Sequence, residues 1–249
     1  MNLLIDIGNT NLRWTLHDGQ GLGPVDGVRH GGGLPLDLLA AWERIAPPDR
    51  VLVSNVGGAA VGAAVARAVH AYWGLAPQLA ATRAESFGVR VAYAEPARLG
   101  VDRWLGLIAA HRLAVGASLI VDAGTAATFD LLLADGEHLG GLILPGVQMM
   151  RDALLAGTRI PRVEPEPAAE PWASDTGTAV AAGSLHALAA LTVRLHERLS
   201  AHLGAAEPPP VILLAGGDGP QLAPLIERPC RPVPDLVLLG LARLAEEDA

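Results

Sequence analysis

Lysine is missing from this chain: all 18 basic residues among its 249 are arginines. That absence removes whole classes of chemistry. A P-loop site needs a lysine after its glycines, a protein-kinase site needs a strand lysine on the phosphates, and Schiff-base catalysis needs a lysine amine. A phosphate site here must instead use backbone amides, hydroxyls, arginine and metal ions. Cysteine is nearly missing too. Cys230 stands alone, which excludes an intramolecular disulfide and fits a reducing, cytoplasmic setting. Aromatic residues make up 4% against a hydrophobic total of 51%, so the core must come from Leu, Val, Ile and Ala, and the length accommodates two modest domains. Net positive charge is also lacking. At a formal charge of −8 and a pI near 5.4, no basic surface is available for a nucleic-acid backbone or an anionic membrane, so neither is expected as a partner. The eight histidines show no metal-ligand spacing. No basic segment precedes the first apolar run, so no signal peptide is expected. The Ala-rich run at 56–75 is interrupted by Gly57-Gly58 and carries Arg67 and His70, which predicts a packed helix and not a membrane span.

What is present is a duplication. Leu4-Ile5-Asp6-Ile7-Gly8-Asn9-Thr10 and Ile120-Val121-Asp122-Ala123-Gly124-Thr125-Ala126 are two buried-strand patterns, each ending in Asp-x-Gly. They stand about half of the 249-residue chain apart. Each is followed by a second strand, at 12–17 and 128–133, and by an Asp-Gly turn, at Asp18-Gly19 and Asp135-Gly136. The rest of the first half reads as a helix at 36–45, a strand at 51–55, the helix within 56–75 and a helix at 101–113. The second half continues with a strand at 140–144, helices at 147–156 and 178–203, a strand at 211–215 and a closing helix at 236–246. Strands preceding helices in each half predict two α/β domains, 1–114 and 115–249. The Pro- and Glu-rich stretch 161–172 cannot form a helix or a central strand and is expected as a surface loop. Gly31-Gly32-Gly33 reads as a flexible loop and no more.

Three segments carry candidate chemistry. Asp6-Ile7-Gly8-Asn9-Thr10-Asn11-Leu12-Arg13 combines a carboxylate able to hold hydrated Mg²⁺, a glycine that lets phosphate approach the backbone, and Asn, Thr and Arg donors. Gly100-Val101-Asp102-Arg103-Trp104 puts Asp102 in the first turn of a helix, where the macrodipole favours an anion; such an aspartate could equally be a plain helix stabiliser. Asp122-Ala123-Gly124-Thr125-Ala126-Ala127-Thr128-Phe129-Asp130 is rich in hydroxyls between two carboxylates and suits a second phosphate or cation contact. Gly216-Gly217 ends a buried strand, where backbone could pass close to an adenosine or simply turn into a helix.

These segments, with Ser54-Asn55-Val56, Tyr93, Pro96, Gly140-Gly141, Pro145-Gly146, Asp175-Thr176 and Gly183 in this order, resemble the type III pantothenate kinases of the actin-like ATPase and sugar-kinase superfamily over nearly the whole chain. The resemblance implies two duplicated ribonuclease-H-like domains around a central nucleotide cleft. It also implies transfer of the ATP γ-phosphoryl group to the primary hydroxyl of pantothenate, the first step of coenzyme A synthesis. Carried over, Asp6 through Arg13 and Thr125 would bind ATP with Mg²⁺. Tyr93, Gly100, Val101, Asp102, Arg103 and Thr176 would bind pantothenate, with Asp102 as proton acceptor. Asp122 would hold a monovalent cation, K⁺ or NH₄⁺, and a homodimer is expected. Two positions depart from the family pattern: Ala127 stands where a threonine is usual, and Asp175 where an asparagine is, with Thr178 close to Thr176. The competing reading is a catalytically inactive regulatory relative, which would be expected to have lost Asp6, Asp102 or Asp122.

Overall fold

A computed structural model describes residues 1–113, 116–160 and 172–247. Up to residue 113 the elements are β1 (Asn2–Ile7), β2 (Asn11–His17), β3 (Asp26–Arg29), α1 (Leu36–Trp42), β4 (Arg50–Asn55), α2 (Ala59–Trp73), β5 (Gln78–Leu79), β6 (Glu85–Ser86), β7 (Val89–Arg90) and α3 (Val101–Leu113). They continue with β8 (Ser118–Ala123), β9 (Ala126–Leu132), β10 (His138–Pro145), α4 (Val147–Gly157), α5 (Thr176–Leu203), β11 (Val211–Ala215), α6 (Gly219–Leu222), β12 (Cys230–Pro232) and α7 (Leu236–Glu247). The chain forms two units, one of Met1–Leu113 with Asp235–Ala249 and one of Ala114–Pro234.

The first unit is built on a five-stranded sheet in the order β3-β2-β1-β4-β5. β1 and β2 are antiparallel, whereas β1 and β4 run parallel. Alternate residues of the central strands face one core: Leu3, Ile5, Ile7, Val51 and Val53 pack with Leu38 and Trp42 of α1 and with Val61, Val65 and Val69 of α2. The i, i+4, i+8 spacing of those valines is one stripe of a helix. Leu4 and Leu52 are buried as well, because α3 and α7 pack on the same unit from β1 and β4. The helix expected within 56–75 spans Ala59–Trp73. Ahead of it Val56 and Gly57 turn their amides back to Ile7 O at 2.9 and 3.0 Å, and Gly58, at φ 101°, opens the helix.

The second unit repeats the plan: β10-β9-β8-β11-β12, with β8 antiparallel to β9 and parallel to β11. Its core joins Leu119, Val121, Ala127 and Phe129 to Leu188, Ala189 and Leu199 of α5. Among the described residues α5 is the helix whose length and apolarity would suit a bilayer. It is nevertheless the core helix of this unit, with buried Thr192 bonding back to Leu188 O at 2.8 Å and His196 Nε2 meeting Pro210 O at 2.9 Å.

Sequence and structure differ in several elements. The edge strands β3, β5 and β12 were not expected, since Asp26–Arg29 is largely exposed and the others have two or three residues. The closing helix, expected with the second half, sits in the first unit. Gly240 brings α7 so close to α3 that a Cβ there would lie 2.3 Å from Leu105 O. The loop expected at 161–172 lies outside the described residues except for Trp172.

Candidate active site

The first Asp-x-Gly turn is closed by its own hairpin. Asp6 pairs with Arg13 and Ile7 with Leu12 across β1 and β2, and the Gly8 amide donates to Asn11 O at 2.9 Å. A second support comes from the end of β4, where Asn55 Oδ1 accepts from the Gly57 amide at 3.0 Å. A Cβ on Gly57 would stand 2.4 Å from Gly8 O, so only glycine fits between the two segments. Ser54-Asn55-Val56 thus acts as a buttress for the turn. Of the nine residues read as ATP-binding, Ile7 and Leu12 point their side chains into the core, and only their main chain can face a ligand. Arg13, read as a phosphate donor, makes an ion pair with Asp235 just ahead of α7, a partner 222 residues away that no local pattern announced.

A second cluster gathers in the same unit. Asp102 lies in the first turn of α3, and its Oδ1 accepts from the Arg103 amide at 2.8 Å. A Cβ on Gly100 would come within 2.5 Å of that oxygen, so Gly100 is what lets the carboxylate fold over the helix start. Arg103 is buried, and one guanidinium nitrogen donates to the Tyr93 hydroxyl at 3.0 Å, with Cζ 5.8 Å from the ring centroid. Val101 is half-buried beside them. Tyr93, Gly100, Val101, Asp102 and Arg103 therefore form one continuous patch. Eight consecutive residues, Arg103 to Ala110, are buried in α3, which anchors the turn that carries the carboxylate.

In the second unit the turn after β8 is held by three backbone segments packed together. Gly124 N–H donates to Ala126 O at 3.0 Å, Gly146 N–H to Thr125 O at 3.0 Å and Asp218 N–H to Ala123 O at 2.9 Å. Added Cβ atoms would lie 1.9 Å from Gly124 O at Gly146 and 2.2 Å from Ala123 O at Gly216. Pro145-Gly146 and Gly216-Gly217, separate motifs in sequence, are thus two clamps on one turn. Asp218 was not singled out among the candidate site residues. Its burial pushes the carboxyl above the usual aspartate range, while a hydrogen bond from the Val147 amide at the start of α4 opposes that rise. Asp122 is half-buried at the strand end and Thr125 is exposed on the turn. Thr176, also exposed, begins α5. Its neighbour Asp175 caps the helix by accepting from the Thr178 amide at 2.9 Å, and hydrogen bonds from Thr178, side chain first and then backbone, hold that carboxyl below its usual value. Thr178 itself is buried.

No group of three or more His, Cys, Asp or Glu that could hold a metal occurs among the described residues. Mg²⁺ does not need one, because it keeps several waters and binds through one or two carboxylates together with substrate phosphates. Asp6 fits that role. Its register partner on β4, Ser54, is fully buried with a hydroxyl that has no hydrogen-bond partner in the described structure. Asp122, half-buried at the strand end, offers a hard carboxylate oxygen.

Two units with the same 3-2-1-4-5 strand order, each with Asp-x-Gly at the end of its first strand, define a protein of the actin-like ATPase and sugar-kinase class. A Baf family protein of known structure from Campylobacter jejuni shares the fold, with a TM-score of 0.63 at 19% identity over 99% of this chain and 98% of that one. Residues 2–198 match the family model for type III pantothenate kinase. Proteins of that name from Aromatoleum aromaticum and Nitrosococcus oceani are 41% and 37% identical, over 100% and 99% of this chain and 99% and 94% of theirs. The chain belongs to the type III pantothenate kinase family.

Proposed function

We propose that this enzyme transfers the γ-phosphoryl group of ATP to the primary hydroxyl of pantothenate, giving 4′-phosphopantothenate and ADP as the first step of coenzyme A synthesis. The observation that carries the reading is the Asp102 carboxylate set over the first turn of α3 by Gly100 and flanked by the buried Arg103–Tyr93 pair. Phosphoryl transfer asks the protein mainly for positioning and charge neutralisation. Tyr93, Gly100, Val101 and Arg103 hold the acceptor so that its hydroxyl lies against Asp102. The hydroxyl oxygen bonds to the γ-phosphorus, the bond from that phosphorus to the β–γ bridging oxygen breaks, and the hydroxyl proton passes to Asp102. The main chain and hydroxyls of Asp6 through Arg13, with Thr125, hold the nucleotide, and Asp6 takes Mg²⁺ through water. Bound Mg²⁺ supplies charge neutralisation on the phosphates. Asp122 holds K⁺ or NH₄⁺. Between the two candidate threonines, Thr176 is the one with an exposed hydroxyl, whereas Thr178 is buried against the Asp175 cap.

A homodimer in the cytoplasm completes the proposal. It is supported by an apolar edge: Leu142 and Ile143 on the outer strand β10, with Met149 and Leu154 on α4, are exposed. The inactive-relative reading is disfavoured because Asp6, Asp102 and Asp122 are all present. The deciding experiment is a coupled ADP-release assay with purified protein, ATP, Mg²⁺ and pantothenate, with K⁺ present. Pantothenate-dependent turnover is expected, and its absence under those conditions would overturn the assignment.

A further inference from the structure

His30 and the three glycines after it do more than connect β3 to α1. The imidazole is buried, with 6% of the residue exposed, and both ring nitrogens are engaged. The Gly32 amide donates to Nδ1 at 3.1 Å. A backbone N–H can only donate, so Nδ1 carries no proton and Nε2 does. Nε2–H then donates to Gly8 O at 2.9 Å. The main chain of the same residue adds a second bond, His30 N–H to Thr10 O at 3.1 Å. Gly31 and Gly32, at φ 51° and 91°, occupy the left-handed region that folds the loop under the ring, and the Gly33 amide closes it on His30 O at 2.8 Å.

The two carbonyls that His30 grips belong to Gly8 and Thr10, on either side of Asn9. In a planar trans peptide the N–H of the following residue points opposite to the carbonyl. Fixing Gly8 O and Thr10 O toward His30 therefore fixes the amides of Asn9 and Asn11 away from it. A chain without lysine depends on such backbone donors to hold phosphate.

We propose that His30, as its Nε2–H tautomer, is a positioning residue for ATP, holding the Asn9 and Asn11 amides toward the phosphates. This rests on the reading of the Asp6–Arg13 turn as a phosphate site. Four variants test both: His30→Ala, His30→Phe, which keeps a ring without donors, His30→Gln, whose amide nitrogen can replace Nε2–H, and Thr10→Ala as a control on the turn itself. His30→Ala and His30→Phe should raise the ATP KM about tenfold, the scale of one buried hydrogen bond lost. The pantothenate KM should stay within about twofold, and His30→Gln should recover most of the loss. If Thr10→Ala raises the ATP KM but neither His30→Ala nor His30→Phe does, the role of His30 is overturned while the phosphate turn stands. If none of the four alters the ATP KM, both fall. Rescue by His30→Phe as complete as by His30→Gln would make the ring a packing element and overturn the proposal. Long-range ¹⁵N–¹H correlation on the unaltered enzyme, which needs no variant to fold, should show Nε2 protonated and Nδ1 bare at neutral pH; the opposite tautomer would also overturn it.

Discussion

Gly100 and Asp102 work as a pair at the scale of single atoms, because the space a glycine leaves is the space a carboxylate fills. A general base in position contributes roughly 10²–10⁴-fold, so Asp102→Asn should lower kcat by about that factor with melting temperature unchanged. Gly100→Ala leaves the carboxylate in the chain but displaces it, and a loss of about 10²-fold is expected for a misplacement near 1 Å; near-normal turnover in either variant would remove Asp102 from the mechanism. Tyr93→Ala and Thr176→Ala should raise the pantothenate KM and leave that of ATP alone, the reverse pattern meaning that the acceptor pocket has been misread. Asp218 offers a test by titration. Its folded pKa is raised above the usual 3.8, chiefly by burial, so the stability contributed by the neutral acid is complete below the unfolded value and is lost as pH rises through the folded one. Asn at 218 can still accept from Val147 and cannot ionise. The unfolding free energy of Asp218→Asn relative to its parent should therefore increase as pH rises from the usual aspartate value through the raised folded one, measured by urea denaturation; a difference that shrinks with pH would contradict the burial argument.

Helices α3 and α7 show what two glycines do for an element. Gly240 meets the Leu105 main chain directly, and Gly106 faces the Leu236 side chain, 3.5 Å from where a Cβ would be. Backbone cannot yield as a side-chain tip can, so Gly240→Ala should cost about 1–3 kcal/mol by overpacking. Gly183, in the middle of α5, has open space at the same test position and no left-handed φ. There the helix propensity of alanine should win, and Gly183→Ala should stabilise by about 0.4–1 kcal/mol. Thermal unfolding of the two variants should shift in opposite directions. A Gly240→Ala variant that melts no lower than its parent would mean that the α3–α7 contact is looser than the structure has it.

For the molecule as a whole the question is how the charge on ATP is balanced without a lysine. Arg13 is shared with Asp235, which leaves still less positive charge for phosphate than composition alone implied. A monovalent cation at Asp122 would supply it. Turnover should rise by about tenfold or more when K⁺ or NH₄⁺ replaces Na⁺ at equal ionic strength, and Asp122→Ala should abolish the response. Light scattering should give a particle of about twice 25.7 kDa. Equal rates in Na⁺ and K⁺ would refute the cation, and an active monomer would refute the dimer.

The duplicated architecture was legible in the chain because its signals are local. A short β-type apolar run in Leu3–Ile7 and in Leu119–Ala123 declares a buried strand, and Asp-x-Gly declares the turn that ends it. The candidate patch was legible for the same reason, since Gly100, Asp102 and Arg103 lie within four residues and Tyr93 one loop away. Four things had no local signal. The ion pair of Arg13 with Asp235 and the seating of α7 on α3 join segments from opposite ends of the chain, and the residues involved carry no pattern until they meet. The convergence of Gly124, Gly146 and Gly216 depends on backbone segments packed too closely to admit a Cβ, which composition does not encode. His30 is the clearest case: in sequence it is a lone histidine before three glycines, and only the packing of that loop under the first turn gives its ring two hydrogen-bond partners and a single tautomer.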